Sequence, residues 1–324
     1  MIRFLAGRLL QGVAIVFAVA TFTFILLQFA PGDPVNALGA GGRLPPEVAE
    51  QQRINFGLDR PIPERYIRYI WNVARGDLGH SYTWPLTVSA AIRQRIPATI
   101  VLALAALLVD FTLGILIGAF QGTRQRSRMD DGLSVVTLTL FSIPVFWFGV
   151  MLVLIFTHGL GWFPPSGIRT PWLYPHLSFM GSLWDHAKHL ALPALTLGLI
   201  GAASTARYQR AAMIDVIHQD FVRTARAKGL EEKAVLYRHA LRNALLPAIT
   251  LLGMSFAVLL SGAVLVEEVF AWPGLGSLAV DAFRSRDYPI VTGMAIVAAA
   301  LVVIGNLIAD LLYRLADPRT RQQT

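Results

Sequence analysis

The chain has 324 residues, no cysteine, 55% hydrophobic residues and a formal net charge of +8. Its mean hydropathy of +0.55 lies far above that of a water-soluble chain, and the absent cysteines exclude disulfides, thiolate catalysis and Cys-ligated metal. A pI near 10.2 would suit an anionic partner such as nucleic acid, so where the charges lie decides what the basicity means.

Five stretches free of Asp, Glu, Lys and Arg are predicted to cross a bilayer: 9–32, 132–157, 189–206, 243–266 and 288–309. A sixth, 96–123, is interrupted only by Asp110. The first is too long for the apolar core of a secretory signal and is followed by further spans. With the N-terminus inside, the inner segments 1–8, 124–131, 207–242 and 310–324 carry 16 Lys and Arg, against four in the two short outer loops. That bias orients the chain with both termini inside, and it explains the pI as topology rather than as a nucleic-acid footprint.

Between spans one and two, the outer segment 31–95 is long enough for a small helical subdomain. "PPEVAEQQRINFGL" predicts a helix opened by Pro45-Pro46, with Glu47 and Glu50 in its first turn and Gly57 as its stop. "PERYIRYIWNVARG" predicts a second, with Tyr66, Ile67, Ile70, Val73 and Ala74 on one face and Gly76 ending it. Residues 88–96 form a third amphipathic piece leading into span two. Trp162, Trp172, Trp184 and Trp272 fall at outer boundaries, where an aromatic belt would place them.

In "DHAKH", His186 and His189 stand three apart beside Asp185. No further metal ligand is identifiable, so polar anchoring at the interface is the preferred reading. Asp110 sits near the middle of span two, where a carboxylate costs about 2.5–3.5 kcal/mol on insertion scales. Two roles stay open for it: lining a hydrated translocation path, or an interhelical hydrogen bond.

The longest inner connection, 207–243, contains "FVRTARAKGL". Asp220 is a candidate N-cap, a helix is predicted over 221–228, and Gly229 suits a left-handed stop. Phe221, Thr224, Ala225 and the Lys228 stem share one face, while Arg223 and Arg226 share another. Two turns are marginal alone, so contact must order them. Small residues such as Thr224, Ala225 and Ala227 suit close approach to a partner's groove, with the arginines clamping carboxylates at its rim. An interfacial helix lying in anionic headgroups accounts for the same pattern equally well.

"DFVRTARAKGL…HALRNALLPAIT" resembles the cytoplasmic signature loop of membrane subunits of bacterial ATP-binding-cassette (ABC) importers, in its dipeptide/oligopeptide permease version. "PGDP" (31–34), "RGDLGHS" (75–81), "SIPVFWFG" (142–149), "WPGLG" (272–276) and "DPR" (317–319) extend the likeness from end to end, to the B-type subunit. The wider importer motif runs Glu-Ala-Ala, three residues, Gly; here Arg223-Thr224-Ala225 precede Gly229, with a longer spacing to Pro247, as in the peptide-permease branch.

The resemblance implies an all-α integral membrane protein with the type I ABC importer permease fold. It divides the chain into a transmembrane helix (1–30), an extracytoplasmic helical subdomain (31–95), a five-helix core (96–313) and a cytoplasmic tail (314–324). It makes Asp220, Phe221, Arg223, Thr224, Ala225, Arg226, Ala227, Lys228 and Gly229 a coupling helix that docks on a cytoplasmic ATPase. The implied partners are a homologous C-type permease, two ABC ATPase subunits and an extracytoplasmic peptide-binding protein, with ATP and Mg on the ATPases. No phosphate-loop motif occurs in this chain, so it is expected to be non-catalytic. Importers of nickel, glutathione or oligosaccharide share the permease type, so the solute stays open. A secondary transporter or a membrane scaffold are the alternatives outside the family.

Overall fold

A computed structural model describes residues 2–29, 35, 45–260 and 263–316. "PGDP" (31–34) and "DPR" (317–319) lie outside the described residues, as does all but the first three residues of the tail. Among the described residues, regular structure is helical, with one isolated β-bridge between His80 and Thr87. The chain divides into two compact units: residues 1–99 with 273–303, and residues 100–272 with 304–324.

The first unit holds α1 (Ile2–Phe29), α2 (Pro46–Asn55), α3 (Ile62–Ala74), and the start of α4 (Val88–Thr123). It also holds α12 (Leu275–Arg284) and most of α13 (Tyr288–Ala316). Both helix stops expected in the 31–95 segment take the left-handed backbone that glycine tolerates, Gly57 at φ 66° and Gly76 at φ 78°. Tyr66, Tyr69, Ile70 and Val73 form the half-buried face of α3, whereas Ile67 is 67% exposed. The expected face is therefore rotated toward Tyr69, because the ring of Phe24 on α1 meets both Tyr66 (5.4 Å) and Tyr69 (5.3 Å). The core of this unit joins Val88 and Ile92 to Leu275, Leu278, Ile290 and Met294.

Asp287 fastens the unit's loops. Fully buried before α13, its carboxylate accepts hydrogen bonds from the Ser81 hydroxyl, the Tyr82 N–H (3.1 Å), the Thr83 N–H (3.1 Å) and the Thr83 hydroxyl (2.8 Å). A buried carboxylate is tolerated when donors converge on it in this way.

The second unit contains the rest of α4, then α5 (Arg128–Ser142), α6 (Val145–Leu152) continued as a π-helix (Val153–Gly159), and α7 (Phe179–Ile217). After α8 (Asp220–Ala227) come a π-helix (Ala234–Ala240), α9 (Leu241–Ala244), α10 (Leu246–Leu260) and α11 (Val264–Val269). Small residues let α4 approach α7 closely: a methyl group on Gly118 would collide with the Ala206 carbonyl and the Gln209 Cβ. Leu104, Leu108 and Leu116 of α4, and Val135, Leu138 and Phe141 of α5, remain exposed, as lipid-facing positions would.

Among the described residues, four helices are long and apolar enough to cross a membrane, and a bent pair makes a fifth candidate. The expected span 132–157 is that pair: Arg128–Ser142 and Val145–Gly159 meet at 103°. Pro144 causes the break, because it forces Ile143 into an extended backbone (φ −76°, ψ 132°) and removes an N–H from the ladder. The expected span 243–266 is represented by α10, whose 15 residues rise about 22 Å, less than the ~30 Å of a hydrocarbon core. Six unbroken spans are thus not what the described residues display. Trp162, Trp172 and Trp184 are exposed as a belt requires, but Trp272 is 1% exposed and belongs to the core.

Candidate functional site

The segment 207–243 folds into a compact hook. Only His218 and Gln219 separate α7 from α8. Gln219, not Asp220, takes the N-cap position, and its carbonyl accepts from the Val222 N–H (3.0 Å). Asp220 is the first helical residue, where a carboxylate favours the helix dipole. At the other end Lys228 is the C-cap and Gly229 follows at φ 74°, the left-handed stop that the glycine suggested.

What orders this short helix is its own chain. Val222 is fully buried and Ala225 is 7% exposed, both in a cluster with Met213 and Val216 of α7 and Val235, Ala240 and Ala244 beyond. Ala225 is therefore turned inward, not presented as a small residue to a partner. Its replacement by any larger side chain would meet this cluster first. Phe221, Arg223, Thr224, Arg226, Ala227, Lys228 and Gly229 are exposed. The exposed surface of α8 is thus one aromatic ring, three cations and small residues, set on an apolar base.

Two of the cations are already engaged. Arg226 forms a two-pronged contact with Glu232 (2.8 and 3.1 Å), and Arg223 reaches Asp220 at 3.3 Å. The guanidinium of Arg226 holds the Glu232 carboxyl below the usual carboxylate range. The Arg226–Glu232 pair ties α8 to the start of the following π-helix.

Asp110 is 6% exposed and accepts a 2.7 Å hydrogen bond from the Thr205 hydroxyl of α7. The carboxylate lies against Gly201, where a side chain would collide with it. Nearer the α8 end of the helices, sequence reasoning missed a second acidic centre. Asp130, 1% exposed, receives Arg210 Nε and Nη2 at 2.8 Å each, the Arg126 N–H at 3.0 Å, and the Gln121 amide at 3.3 Å. This joins α4, α5 and α7 in one polar knot. No local spacing announces it, since 80 residues separate Asp130 from Arg210. In "DHAKH", Asp185 is occupied by the Thr170 N–H (2.8 Å) and hydroxyl (2.7 Å), clasping the preceding loop to α7.

Two family models divide the chain. Residues 1–103 match the N-terminal membrane component of binding-protein-dependent transport systems, and residues 111–322 match their inner membrane component. The di/tripeptide transport system permease protein DppB of Pseudomonas aeruginosa is 41% identical, with all of both chains covered. The oligopeptide transport system permease protein AppB of Bacillus subtilis is 38% identical over 98% of this chain and 99% of its own. Among solved structures, the inward-facing MetNI methionine ABC transporter covers 71% of this chain and 97% of its own, with a TM-score of 0.57 at 15% identity, a likeness of fold. The exposed, internally anchored α8 therefore lies within a recognised architecture, and the chain belongs to the family of inner membrane components of binding-protein-dependent transport systems.

Proposed function

We propose that the chain is the B-type permease subunit of an ABC importer of short peptides and forms half of its translocation pathway. The observation that carries this reading is α8, a cationic two-turn helix whose buried side is satisfied internally and whose outer side is left for a partner. Its setting in a chain matched end to end by permeases named for di/tripeptides and oligopeptides supports peptides as the solute.

In this reading the chain crosses the membrane six times, the bent pair counting as one span and α10 with its flanks as another. Both termini and α8 face the cytoplasm, and the 31–95 segment faces outward. A C-type permease completes the pathway, two ABC ATPases dock on the cytoplasmic side, and an extracytoplasmic binding protein delivers the peptide. ATP and Mg are bound by the ATPases, whose closure displaces α8 and reorients the helices. The Thr205 bond and the approach of Gly201 favour an interhelical role for Asp110 over a place on the path.

Co-expression with the candidate ATPases tests this. Wild-type chain should retain them through purification, and Phe221→Asp should lose them while reaching the membrane in normal amount. Retention of the ATPases by the Asp variant would overturn the docking assignment. ATPase retention with no uptake of any di- or tripeptide would overturn the solute and leave the docking standing.

A further inference from the structure

Within the first unit, the ends of α1 and α2, the length of α3 and the 77–82 loop line an open cavity of about 440 Å³ that no part of the transport reading uses. That volume is in the range of small-molecule sites, which run from about 300 to 1,000 Å³. Among the described residues, three guanidiniums, Arg60, Arg65 and Arg68, line it against a single carboxylate, Asp77, which already accepts from the Gly79 N–H (2.9 Å).

The three arginines are not equivalent. Glu64, outside the cavity lining, takes Arg60 at 2.7 Å and Arg68 at 3.3 Å. Arg65 lies on the half-buried side of α3 and forms no ion pair among the described residues. Its charge is felt by Tyr82, and burial nevertheless pushes that phenol up to about 12, so the hydroxyl remains a neutral donor. Tyr69, also in the lining, is pushed up to about 12 by burial. The Phe56 and Tyr82 rings stack at 4.1 Å and give the cavity an aromatic wall.

A half-buried guanidinium without a counter-ion is costly, and an incoming anion removes that cost. From this geometry we infer that the cavity binds a small carboxylate- or phosphate-bearing molecule with an aromatic or apolar portion, its anionic group on Arg65 and its apolar part against the Phe56–Tyr82 wall. The neutral phenols and the Asn72 amide supply further donors. A free solute and a phospholipid headgroup offer this chemistry alike, because Phe24, Leu27 and Gln28 at the end of α1 form part of the lining.

The test is titration calorimetry of the full chain in uncharged detergent, using 3-phenylpropionate, phenyl phosphate and the neutral 3-phenylpropionamide. Both anions should bind, and the amide should bind at least about tenfold more weakly, a difference of about 1.4 kcal/mol. Arg65→Gln should remove the preference for the anions. Glu64→Gln alters an exposed residue outside the cavity, releases Arg60 and Arg68, and should tighten anion binding. In nanodiscs, weaker probe binding in phosphatidylglycerol than in phosphatidylcholine would identify the headgroup as occupant, and equal binding a free solute; either supports the site. Equal affinity for amide and carboxylate, or full anion preference in Arg65→Gln, would overturn it.

Discussion

Gly229 and Ala225 are four residues apart in one motif, yet substitutions there should fail for different reasons. Gly229 has φ 74° and open space around it, so valine would be strained by backbone alone. Gly229→Val should fold and reach the membrane, with the chain after α8 misdirected and the ATPases lost. Ala225→Glu places a carboxylate in the Met213–Val235 cluster, and thermal unfolding should register an instability of several kcal/mol before any docking defect. A normal melting temperature for that variant would contradict the inward placement of Ala225. Asp110 is distinguishable by the same logic. Asparagine keeps the acceptor for Thr205 and should cost about 1–2 kcal/mol or less, while leucine should destabilise the chain for every substrate alike. Selective loss of cationic peptide uptake by Asp110→Asn would return the residue to the path.

At the scale of elements, much depends on contacts remote in sequence. Asp130 and Arg210 bring α5 to α7, and removing one member leaves its partner's charge uncompensated. Arg210→Met strands the buried Asp130 carboxylate and should destabilise by about 3–5 kcal/mol, whereas adding Asp130→Leu to it should recover most of the loss. Additive losses in that cycle would show the pair to be uncoupled. The Arg226–Glu232 contact is exposed and behaves otherwise. Because Glu232 is held below the ordinary carboxylate range, its contribution is complete at neutral pH and disappears only as pH falls through the lowered value. Glu232→Gln should therefore change ATPase retention at neutral pH and abolish any acid dependence of this pair. Such effects were not legible in the sequence, which gives local rules only. Gly57, Gly76 and Gly229 announced their helix ends because a left-handed residue is a local requirement. The sequence could not announce that Val222 and Ala225 face inward, since their partners lie both before and after α8 in the chain. The Pro144 break was in principle readable, as proline alone dictates it, but a charge-free run concealed it within one apparent span.

For the whole molecule, the orientation proposed from charge placement is measurable because the chain has no cysteine. Ser81 and Ser277 are buried, so exposed positions serve better for labelling. Single cysteines at Gln51 or Ser166 should react in intact cells with an impermeant thiol reagent, and those at Gln125 or Lys228 should not. Reaction at Gln125 would reverse the proposed orientation. The sequence made the all-helical membrane class legible through apolar run length, and the family through motifs spread over the chain. It overstated the regularity of the spans, because hydropathy counts residues and is blind to where a helix bends.

The 39 residues of α7 make a rod about 58 Å long, and α8 is welded to its end by two connecting residues and the Met213–Val222 cluster. Pro193 removes one rung of the ladder but does not end the helix. A push on α8 therefore acts on a lever arm: tilting the rod by about 5° displaces its far end by roughly 5 Å, about one helical turn. That end carries Asp185 and its clasp on Thr170; in the proposed orientation it lies across the membrane from α8, and one continuous helix would carry force from α8 to that loop.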